Sequence, residues 1–181
     1  MLELRRFTEE DCDRLIGWVP DPRFLMLWAG PGYKWPLDRE QILKNMERTG
    51  GNRPLFHMFK AVERKTGRTV GHIELQRYER RSGHIARVLI GDPACRGRGY
   101  GTDLVSLLIR HAFSDLDFDL LSLNVYYQNT PAVECYRGLG FRRIEFEKGA
   151  RRFGDESWDL VTMELRREEW ELIMNGDDDN A

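Results

Sequence analysis

The sequence predicts a mixed α/β (α+β) fold with a central, mostly antiparallel sheet of about six to seven strands flanked by helices. Three strand-like runs follow one another at residues 55–64, 69–78 and 84–90, which is typical of an antiparallel meander. After residue 101 the order becomes helix, strand, helix and strand, and this alternation indicates a parallel element. A chain of 181 residues, 41% of them hydrophobic, is long enough to bury one core of its own.

The N-terminal elements are predicted from capping signals. Residues 2–7 alternate as an edge strand does, and residues 8–11 resemble a capping box that begins a helix toward Trp18. A second helix is expected to begin at residues 38–41, where an aspartate is followed three positions later by a glutamine. Between these helices, the prolines and glycines of residues 29–36 forbid regular structure, so we expect a loop there.

The C-terminal half is predicted from the same periodicities. Its elements are a helix at about 102–115, a strand at 119–127, a helix at 130–138 and strands at 141–148 and 157–165. A short amphipathic turn that includes Trp170 follows, and the acidic residues 176–181 are expected to be disordered. We expect residues 1–175 to form a single domain.

Composition and charge argue against several classes of function. The net charge of −2 leaves no overall basic surface for nucleic acid, and the arginines within residues 77–81 fit a solvated turn better than a basic patch. The three cysteines, Cys12, Cys95 and Cys135, lack the spacing of a zinc site, so we expect neither a disulfide nor a metal. No run of about 18 apolar residues is present. We therefore expect a cytoplasmic protein without a membrane or nucleic-acid partner.

Residues 96–101 read Arg-Gly-Arg-Gly-Tyr-Gly, between a strand-like run at 85–90 and a helix-like run at 102–113. Glycines at such a turn let the backbone approach a ligand, and the first N–H groups of the helix point at the same place. This arrangement favours an anion, above all phosphate. A magnesium-nucleotide loop needs Lys-Ser/Thr where Thr102 and Asp103 stand, and the Gly-x-Gly-x-x-Gly dinucleotide pattern is absent. Both standard nucleotide sites are therefore disfavoured.

The same loop resembles the Arg/Gln-x-x-Gly-x-Gly/Ala motif of the GNAT superfamily of N-acetyltransferases, which move an acetyl group from acetyl-CoA to an amine. Arg96, Gly99 and Gly101 occupy the defining positions. The resemblance implies that acetyl-CoA is the co-substrate, that no metal is needed, and that the loop holds the CoA pyrophosphate. The residues implied in this contact are Arg96, Gly97, Arg98, Gly99, Tyr100, Gly101 and Thr102.

The resemblance also implies how the pantetheine arm of CoA is held. In this family two neighbouring strands splay apart, and the arm binds between them through main-chain groups. Here the splay is expected between the strands at 84–91 and 119–127, and Leu89 and Ile90 are expected to supply the contacts. Because the backbone makes these bonds, the side chains at both positions carry little information.

A second segment points to the same family. Residues 123–129 read Leu-Asn-Val-Tyr-Tyr-Gln-Asn and, with Ala132 and Tyr136, resemble its second acyl-CoA motif. The resemblance implies that Asn129 binds the pantetheine arm, that Ala132 lets the helix approach it, and that Tyr136 is the general acid. Positions 132 and 136 share one helix face, so both can address one ligand. The alternative is that Tyr136 is a core aromatic, as we expect for Phe141.

The base that accepts the proton of the amine is not evident from the sequence. Strand alternation places His72, Glu74 and Gln76 on one face, which makes Glu74 the first candidate base and His72 the second. Two alternatives stay open. These residues can be exposed polar positions of a half-buried sheet, or water can remove the proton.

Contacts to the acceptor amine are expected from the irregular segments at 28–35 and 149–156, and from the strand that carries Arg87. The candidate substrate residues are Trp28, Tyr33, Trp35, Arg87 and Asp155. Aromatic rings can line an amine-binding wall, and an acidic side chain attracts a cation. The alternative for both tryptophans is that they only cover the core.

A narrower resemblance connects residues 4–11, 90–93 and 158–170 with ribosomal-protein N-terminal acetyltransferases and spermidine acetyltransferases. We predict an acetyl-CoA-dependent N-acetyltransferase that acts on a primary amine of a small molecule, a peptide or a protein N-terminus. The alternative is a non-catalytic acyl-CoA-binding or regulatory domain of the same fold. A homodimer is compatible with the family, in which proteins often pair, but no feature of the sequence specifies an interface.

Overall fold

A computed structural model describes residues 1–50 and 55–178. These ranges contain seven strands and six α-helices. In order they are β1 (Leu2–Arg6), α1 (Cys12–Gly17), α2 (Pro22–Ala29), α3 (Arg39–Met46), β2 (Phe56–Glu63), β3 (Thr69–Glu79), β4 (Ser82–Ile90), α4 (Tyr100–Arg110), β5 (Leu120–Tyr126), α5 (Thr130–Gly138), β6 (Arg142–Phe153), β7 (Glu156–Arg166) and α6 (Arg167–Asp178).

The strands form one seven-stranded sheet in the order β1-β2-β3-β4-β5-β7-β6. Antiparallel pairs join β1 to β2, β2 to β3, β5 to β7 and β6 to β7. Because β5 and β6 both run antiparallel to β7, they share one direction, as the strand-helix-strand pattern predicts. The predicted mixed, mostly antiparallel sheet flanked by helices is confirmed.

The chain divides into two compact units. Unit 1 is formed by Met1–Arg77 and Ile85–Leu108, and unit 2 by Tyr78–His84 and Ile109–Ala181. The glycine loop therefore belongs to unit 1, whereas the second predicted CoA motif belongs to unit 2.

Unit 1 packs its helices and strands around an apolar core. Its large buried side chains include Phe7, Leu15, Leu25, Ile42 and Phe56. Two glycines permit close packing at the end of β4. A Cβ at Gly71 would lie 2.6 Å from the Leu89 carbonyl oxygen, and a Cβ at Gly91 would lie 1.8 Å from the Trp18 ring. Any larger residue would push β3 or Trp18 away from the strand end that precedes the glycine loop.

Unit 2 has an aromatic core. Phe113, at the end of the helical segment after β4, packs on Trp170 of α6 with ring centres 5.4 Å apart. A Cβ at Gly83 would lie 2.7 Å from the Phe118 ring. Further buried side chains of this core are Leu121, Phe141, Trp158 and Leu165. Helix α6 is thus an integral part of unit 2.

The stretch before residue 38 is more helical than predicted. Helix α2 occupies Pro22–Ala29, where the sequence reading contains no helix. The Asp21 carboxylate accepts from the Phe24 N–H at 2.7 Å, and proline takes the first helical position. The predicted irregular segment 29–36 contains a 3₁₀ turn at Gly30–Gly32, so the expectation of no regular structure there is wrong for its first half.

The C-terminal part is also more regular than predicted. Strand β6 continues to Phe153, so the irregular segment expected at 149–156 shrinks to residues 154–155. The short turn expected around Trp170 is the helix α6, which extends into the predicted disordered tail as far as Asp178. Residues 179–181 of that tail lie outside the described residues. Helix α5 has the predicted bounds.

Candidate active site

The glycine loop opens the N-terminus of α4 to a ligand. Gly97 and Gly99 have left-handed backbones, with φ of 68° and 81°, which glycine adopts without strain. The Asp103 N–H donates to the Gly99 carbonyl at 3.0 Å inside the first helical turn. A Cβ built at Gly97, Gly99 or Gly101 would meet no other described atom within 4 Å. The exposed backbone at a helix start fits the pyrophosphate that the motif implies.

Two arginines of the loop bind its backbone. Arg96 Nε donates to the Ile90 carbonyl at 3.0 Å, and its Nη2 donates to the Gly91 carbonyl at 3.2 Å. Arg98 Nη1 donates to the Ala94 carbonyl at 3.3 Å. Arg96 therefore joins the end of β4 to the loop and brings a fixed positive charge to the anion site.

The loop is also anchored to the neighbouring strand. The Tyr100 hydroxyl donates to Glu63 Oε1 at 2.5 Å, and this hydrogen bond raises the pKa of Tyr100. Asp92, just before the loop, accepts from Arg68 at 2.5 Å. The other residues of unit 1 that are predicted to bind acetyl-CoA are Leu89 and Ile90, which end β4, and Thr102 in the first turn of α4. The side chain of Tyr100 is thus engaged by Glu63, and only its backbone is offered to a ligand.

A buried polar cluster lies elsewhere in unit 1 and is centred on Glu74. His72 and Glu74 are both 0% exposed, so the alternative that they are exposed polar positions is wrong. His72 Nε2 donates to Glu74 Oε1 at 3.0 Å, and Asn45 Nδ2 approaches the same oxygen at 3.5 Å. The other oxygen accepts from Arg87 Nη1. Every side chain around this carboxylate is a donor, as a buried carboxylate requires.

Arg87 is held in an unusual backbone conformation within this cluster. Its φ is 49°, in the left-handed region that non-glycine residues rarely adopt. Its guanidinium lies 4.2 Å from the centre of the Tyr33 ring. Because Gly32 has no side chain, there is space for the guanidinium. A Cβ at that position would lie 2.4 Å from Arg87 Nη2. The bend in β4 therefore delivers the guanidinium to Glu74 and stacks it on Tyr33.

Aromatic side chains enclose the cluster. Trp28 lies 6.2 Å from Tyr33 and 6.0 Å from His72, measured between ring centres. The Tyr33 hydroxyl accepts from Asn45 Nδ2 at 3.0 Å. Burial, and then the Glu74 carboxylate, raise the pKa of Tyr33 well above its usual range, so this hydroxyl stays protonated. Of the predicted substrate residues, Trp28, Tyr33 and Arg87 therefore come together beside the candidate base.

The other two predicted substrate residues lie apart from this cluster. Trp35 is 47% exposed and has no ring contact or hydrogen bond to the cluster within the described ranges. Asp155 is exposed in the turn between β6 and β7. Trp28 also packs against the core of unit 1.

Tyr136, the predicted general acid, lies on α5 in unit 2. It is 8% exposed, and its ring meets Phe141 edge-on with centres 6.1 Å apart. Burial raises the pKa of the Tyr136 hydroxyl well above its ordinary value, so the group is protonated at neutral pH. Its hydroxyl has no hydrogen-bond partner in residues 1–50 or 55–178. Phe141 is a core residue, as predicted.

The start of α5 offers two further predicted contacts. Asn129 is the N-cap residue, yet its side chain makes no capping hydrogen bond. Its carbonyl accepts from the Ala132 N–H at 3.0 Å. Both residues are partly exposed on the first turn. An N-cap asparagine normally binds its own helix, so this amide is left available for a ligand.

One residue of the site is missing from the sequence-based prediction. Asn45 donates to both Tyr33 and Glu74, but it lies on α3, far away in sequence. A helical asparagine has no signature of this role, because only the packing of α3 on β3 brings it to the carboxylate.

Among the described residues, no group of three or more histidine, cysteine, aspartate or glutamate side chains is arranged to hold a metal ion. In the same part of the chain, no helix has the length and apolar composition needed to cross a membrane.

Comparison with known proteins identifies the family of this chain. Residues 1–142 match the family model of the acetyltransferase (GNAT) domain. The SPbeta prophage-derived uncharacterized N-acetyltransferase YokL of Bacillus subtilis (strain 168) is 26% identical over 152 residues, which span 74% of this chain and 82% of that relative. The uncharacterized N-acetyltransferase p20 of Bacillus licheniformis is 24% identical over 149 residues, which span 78% of this chain and 79% of that relative.

Solved structures agree on the fold. The spermidine N-acetyltransferase from Vibrio cholerae, in complex with CoA and spermine, aligns with a TM-score of 0.80 over 94% of this chain and 98% of that one. Their sequences are 17% identical, so this likeness concerns the fold alone. The family match covers most of the chain and includes the glycine loop, α5 and Tyr136. The chain belongs to the GNAT family of acetyltransferases, enzymes that transfer an acetyl group from acetyl-CoA to an amine.

Proposed function

We propose that this enzyme acetylates a primary amine of a small molecule, a peptide or a protein N-terminus by direct attack on the thioester, with Tyr136 as the general acid. One observation carries the proposal. Tyr136 is a buried residue, its burial keeps the hydroxyl protonated at neutral pH, and no described residue forms a hydrogen bond with that hydroxyl. A departing thiolate needs a protonated donor, and a hydroxyl without a protein partner is available to serve as one.

We assign the binding of acetyl-CoA to three segments of the chain. We assign the pyrophosphate to the glycine loop and the pantetheine arm to the strand end and to the start of α5. The residues concerned are Leu89, Ile90, Arg96, Gly97, Arg98, Gly99, Tyr100, Gly101, Thr102, Asn129 and Ala132. The open backbone of the loop and the unused Asn129 amide support this assignment. We also propose that residues 1–175 form a single domain.

The chain's own groups account for the steps of the transfer. A backbone N–H near Ile90 is suited to stabilise the oxyanion that forms when the amine attacks. Tyr136 then donates a proton to the departing CoA thiolate. The amine must first lose a proton, because its pKa is about 8 for an α-amine and about 10.4 for a lysine-type amine. Strand alternation favours Glu74 as the acceptor of this proton, and its contact with Arg87, a candidate substrate residue, supports that assignment.

The acceptor amine is proposed as a class only. The Vibrio cholerae neighbour is in complex with spermine, so polyamines belong in any test set. Trp28 and Tyr33 can form an aromatic wall for an amine, and the exposed Trp35 and Asp155 stay as further candidate contacts.

A screen for release of the CoA thiol tests the function. Purified protein and acetyl-CoA are incubated with polyamines, aminoglycosides, amino acids and peptides with free N-termini, and thiol formation is followed over time. We expect amine-dependent release with at least one class. Binding of acetyl-CoA in a calorimeter without release from any class would favour the non-catalytic binder. That alternative draws support from Glu74, because donors already bind both of its oxygens.

A further inference from the structure

The two nitrogens of the His72 ring are in different states. Nε2 lies 3.0 Å from Glu74 Oε1, and an ionised carboxylate only accepts, so Nε2 carries the hydrogen. In the neutral ring, Nδ1 is then the acceptor. Nδ1 is buried and has no hydrogen-bond partner among the described residues. An unpaired buried acceptor is unfavourable, so this nitrogen requires a donor that the described chain does not supply.

Glu74 is poorly placed to accept a proton itself. His72 and Asn45 approach Oε1, and Arg87 donates to Oε2. The Arg87 guanidinium also stabilises the ionised carboxylate. Glu74 is therefore better suited to hold the imidazole in one tautomer than to take a proton from the substrate, which is the division of roles in a catalytic triad.

Trp28 supplies the complementary group. Its indole Nε1–H is buried and has no acceptor among the described residues. Its ring lies edge-on to His72 at 74°, with centres 6.0 Å apart. A water that accepts from Nε1–H would satisfy Trp28, and a water that donates to Nδ1 would satisfy His72.

We infer that His72 is the general base of the acetyl transfer, reached through a water held by Trp28, and that Glu74 is a positioning residue. The inference rests on the proposed function and replaces Glu74 in the role of base. The nitrogen of the ammonium loses two protons as it becomes an amide. One passes through the water to His72 Nδ1 and on to solvent, and the other balances the proton that Tyr136 gives to the CoA thiolate.

The groups around His72 come from several elements. Lys60 lies opposite His72 in the β2–β3 register, and its Nζ donates to Asp11 at 2.7 Å. The titratable and charged groups that face the ring are Glu74 on β3, the paired Lys60 and Asp11, Arg87 on β4 and the Tyr33 hydroxyl. Phe7, with its ring centre 5.0 Å from that of His72, adds only apolar contact.

The variant His72→Gln tests the role in turnover. Glutamine can still donate to Glu74 from the position of Nε2 but has no basic nitrogen. With an amine that wild type accepts, we expect turnover at pH 7 to fall by about 10²- to 10⁴-fold. The loss should shrink as the pH approaches the pKa of the amine, where the amine is already free. His111→Gln, far from the cluster in sequence and in unit 2, is the control and should behave as wild type. A loss that is equal at every pH would overturn the inference.

Two further measurements keep the test decisive. In the ¹⁵N NMR spectrum of the free protein, His72 should show protonated Nε2 and unprotonated Nδ1, and the opposite tautomer would contradict the inference. If His72→Gln fails to fold, Trp28→Phe decides instead. A pH-dependent fall in its turnover supports the water-mediated route, and unchanged turnover overturns it. Wild type that releases no thiol with any amine would refute the proposed function, whereas the NMR result still tests the tautomer.

Discussion

In unit 1 several buried polar side chains bind one another around Glu74, whereas in unit 2 the hydroxyl of the buried residue Tyr136 has no hydrogen-bond partner among the described residues. Glu74 accepts from His72 and Arg87, and Asn45 connects it to Tyr33. The Tyr136 ring packs edge-on against Phe141. The groups around Glu74 form an interlocked network, whereas the Tyr136 hydroxyl lies outside the hydrogen-bond networks of the described residues.

This difference determines what a substitution can reveal. In a network, removing one group leaves its hydrogen-bond partners unpaired, so stability and activity fall together. Removing an isolated hydroxyl changes little except the proton that it carries. Substitutions in the Glu74 network of unit 1 are therefore expected to change stability, whereas substitution of Tyr136 in unit 2 is expected to change the rate of the reaction.

Arg87→Met should have the largest effect on stability. It leaves the Glu74 carboxylate fully buried without its cationic partner, and we expect the free energy of unfolding to fall by about 3–5 kcal/mol. Denaturant unfolding at pH 7 measures the change. The control is the double variant Glu74→Gln, Arg87→Met, which leaves no stranded charge and should recover part of the loss. Equal stability of wild type and Arg87→Met would mean that unit 1 is not an interlocked network.

Gly99→Ala should have an intermediate effect. Alanine at φ of 81° is strained, and we expect a loss of about 1–2 kcal/mol in stability together with weaker binding of acetyl-CoA. Gly101→Ala is the matched control, because it adds the same methyl group inside α4 without a left-handed backbone. It should fold at least as stably as wild type. Calorimetric titration with acetyl-CoA that shows full affinity in both variants would remove the loop from the donor site.

Asp11→Asn should have the smallest effect, and the effect should depend on pH. Burial alone would raise the pKa of Asp11, but hydrogen bonds from Lys60 and Thr8 outweigh it and hold the pKa below its ordinary value of 3.8. The depressed pKa contributes stability above pH 3.8 that is lost as the pH falls through the lower, folded value. We expect Asp11→Asn to lose about 1 kcal/mol at pH 7 and nothing at the acid limit.

The control for this measurement is Asp13→Asn, since Asp13 is exposed and forms an ion pair with Arg39 at 3.3 Å. Thermal unfolding should show no acid-dependent difference for that variant. If Asp11→Asn kept the wild-type slope of stability against pH, the buried cluster of Asp11 with Lys60 would not be a source of acid sensitivity.

Local signals explain which elements could be predicted. Helix α5 has the predicted bounds because an asparagine stands at its N-cap and a proline at its second position, and both are signals of a helix start. Helix α2 carries the same kind of signal, an aspartate cap before Pro22, but the glycines and prolines after it dominate the local pattern. The acidic sequence of α6 predicts only a short turn and a disordered tail. In the structure this segment is a helix, and its Trp170 packs on Phe113. Its helical state depends on that tertiary contact.

The site divides in a similar way. The glycine loop is predictable because its motif, its strand and its helix are contiguous in sequence. The Glu74 network is not, because Asn45, Glu74 and Arg87 lie on three elements that meet only in the folded chain. Strand alternation identifies the face that His72 and Glu74 share, but burial and partners decide what each residue does.

The most direct test of the central claim is Tyr136→Phe, measured in three ways on one preparation. With an accepted amine, turnover should fall by about 10²- to 10⁴-fold, while acetyl-CoA affinity and the unfolding midpoint stay at wild-type values. Tyr126→Phe is the matched control, because it removes a hydroxyl from another buried tyrosine of unit 2 and should leave turnover unchanged. Unaltered turnover in Tyr136→Phe, or a loss that merely follows a loss of stability, would contradict the account.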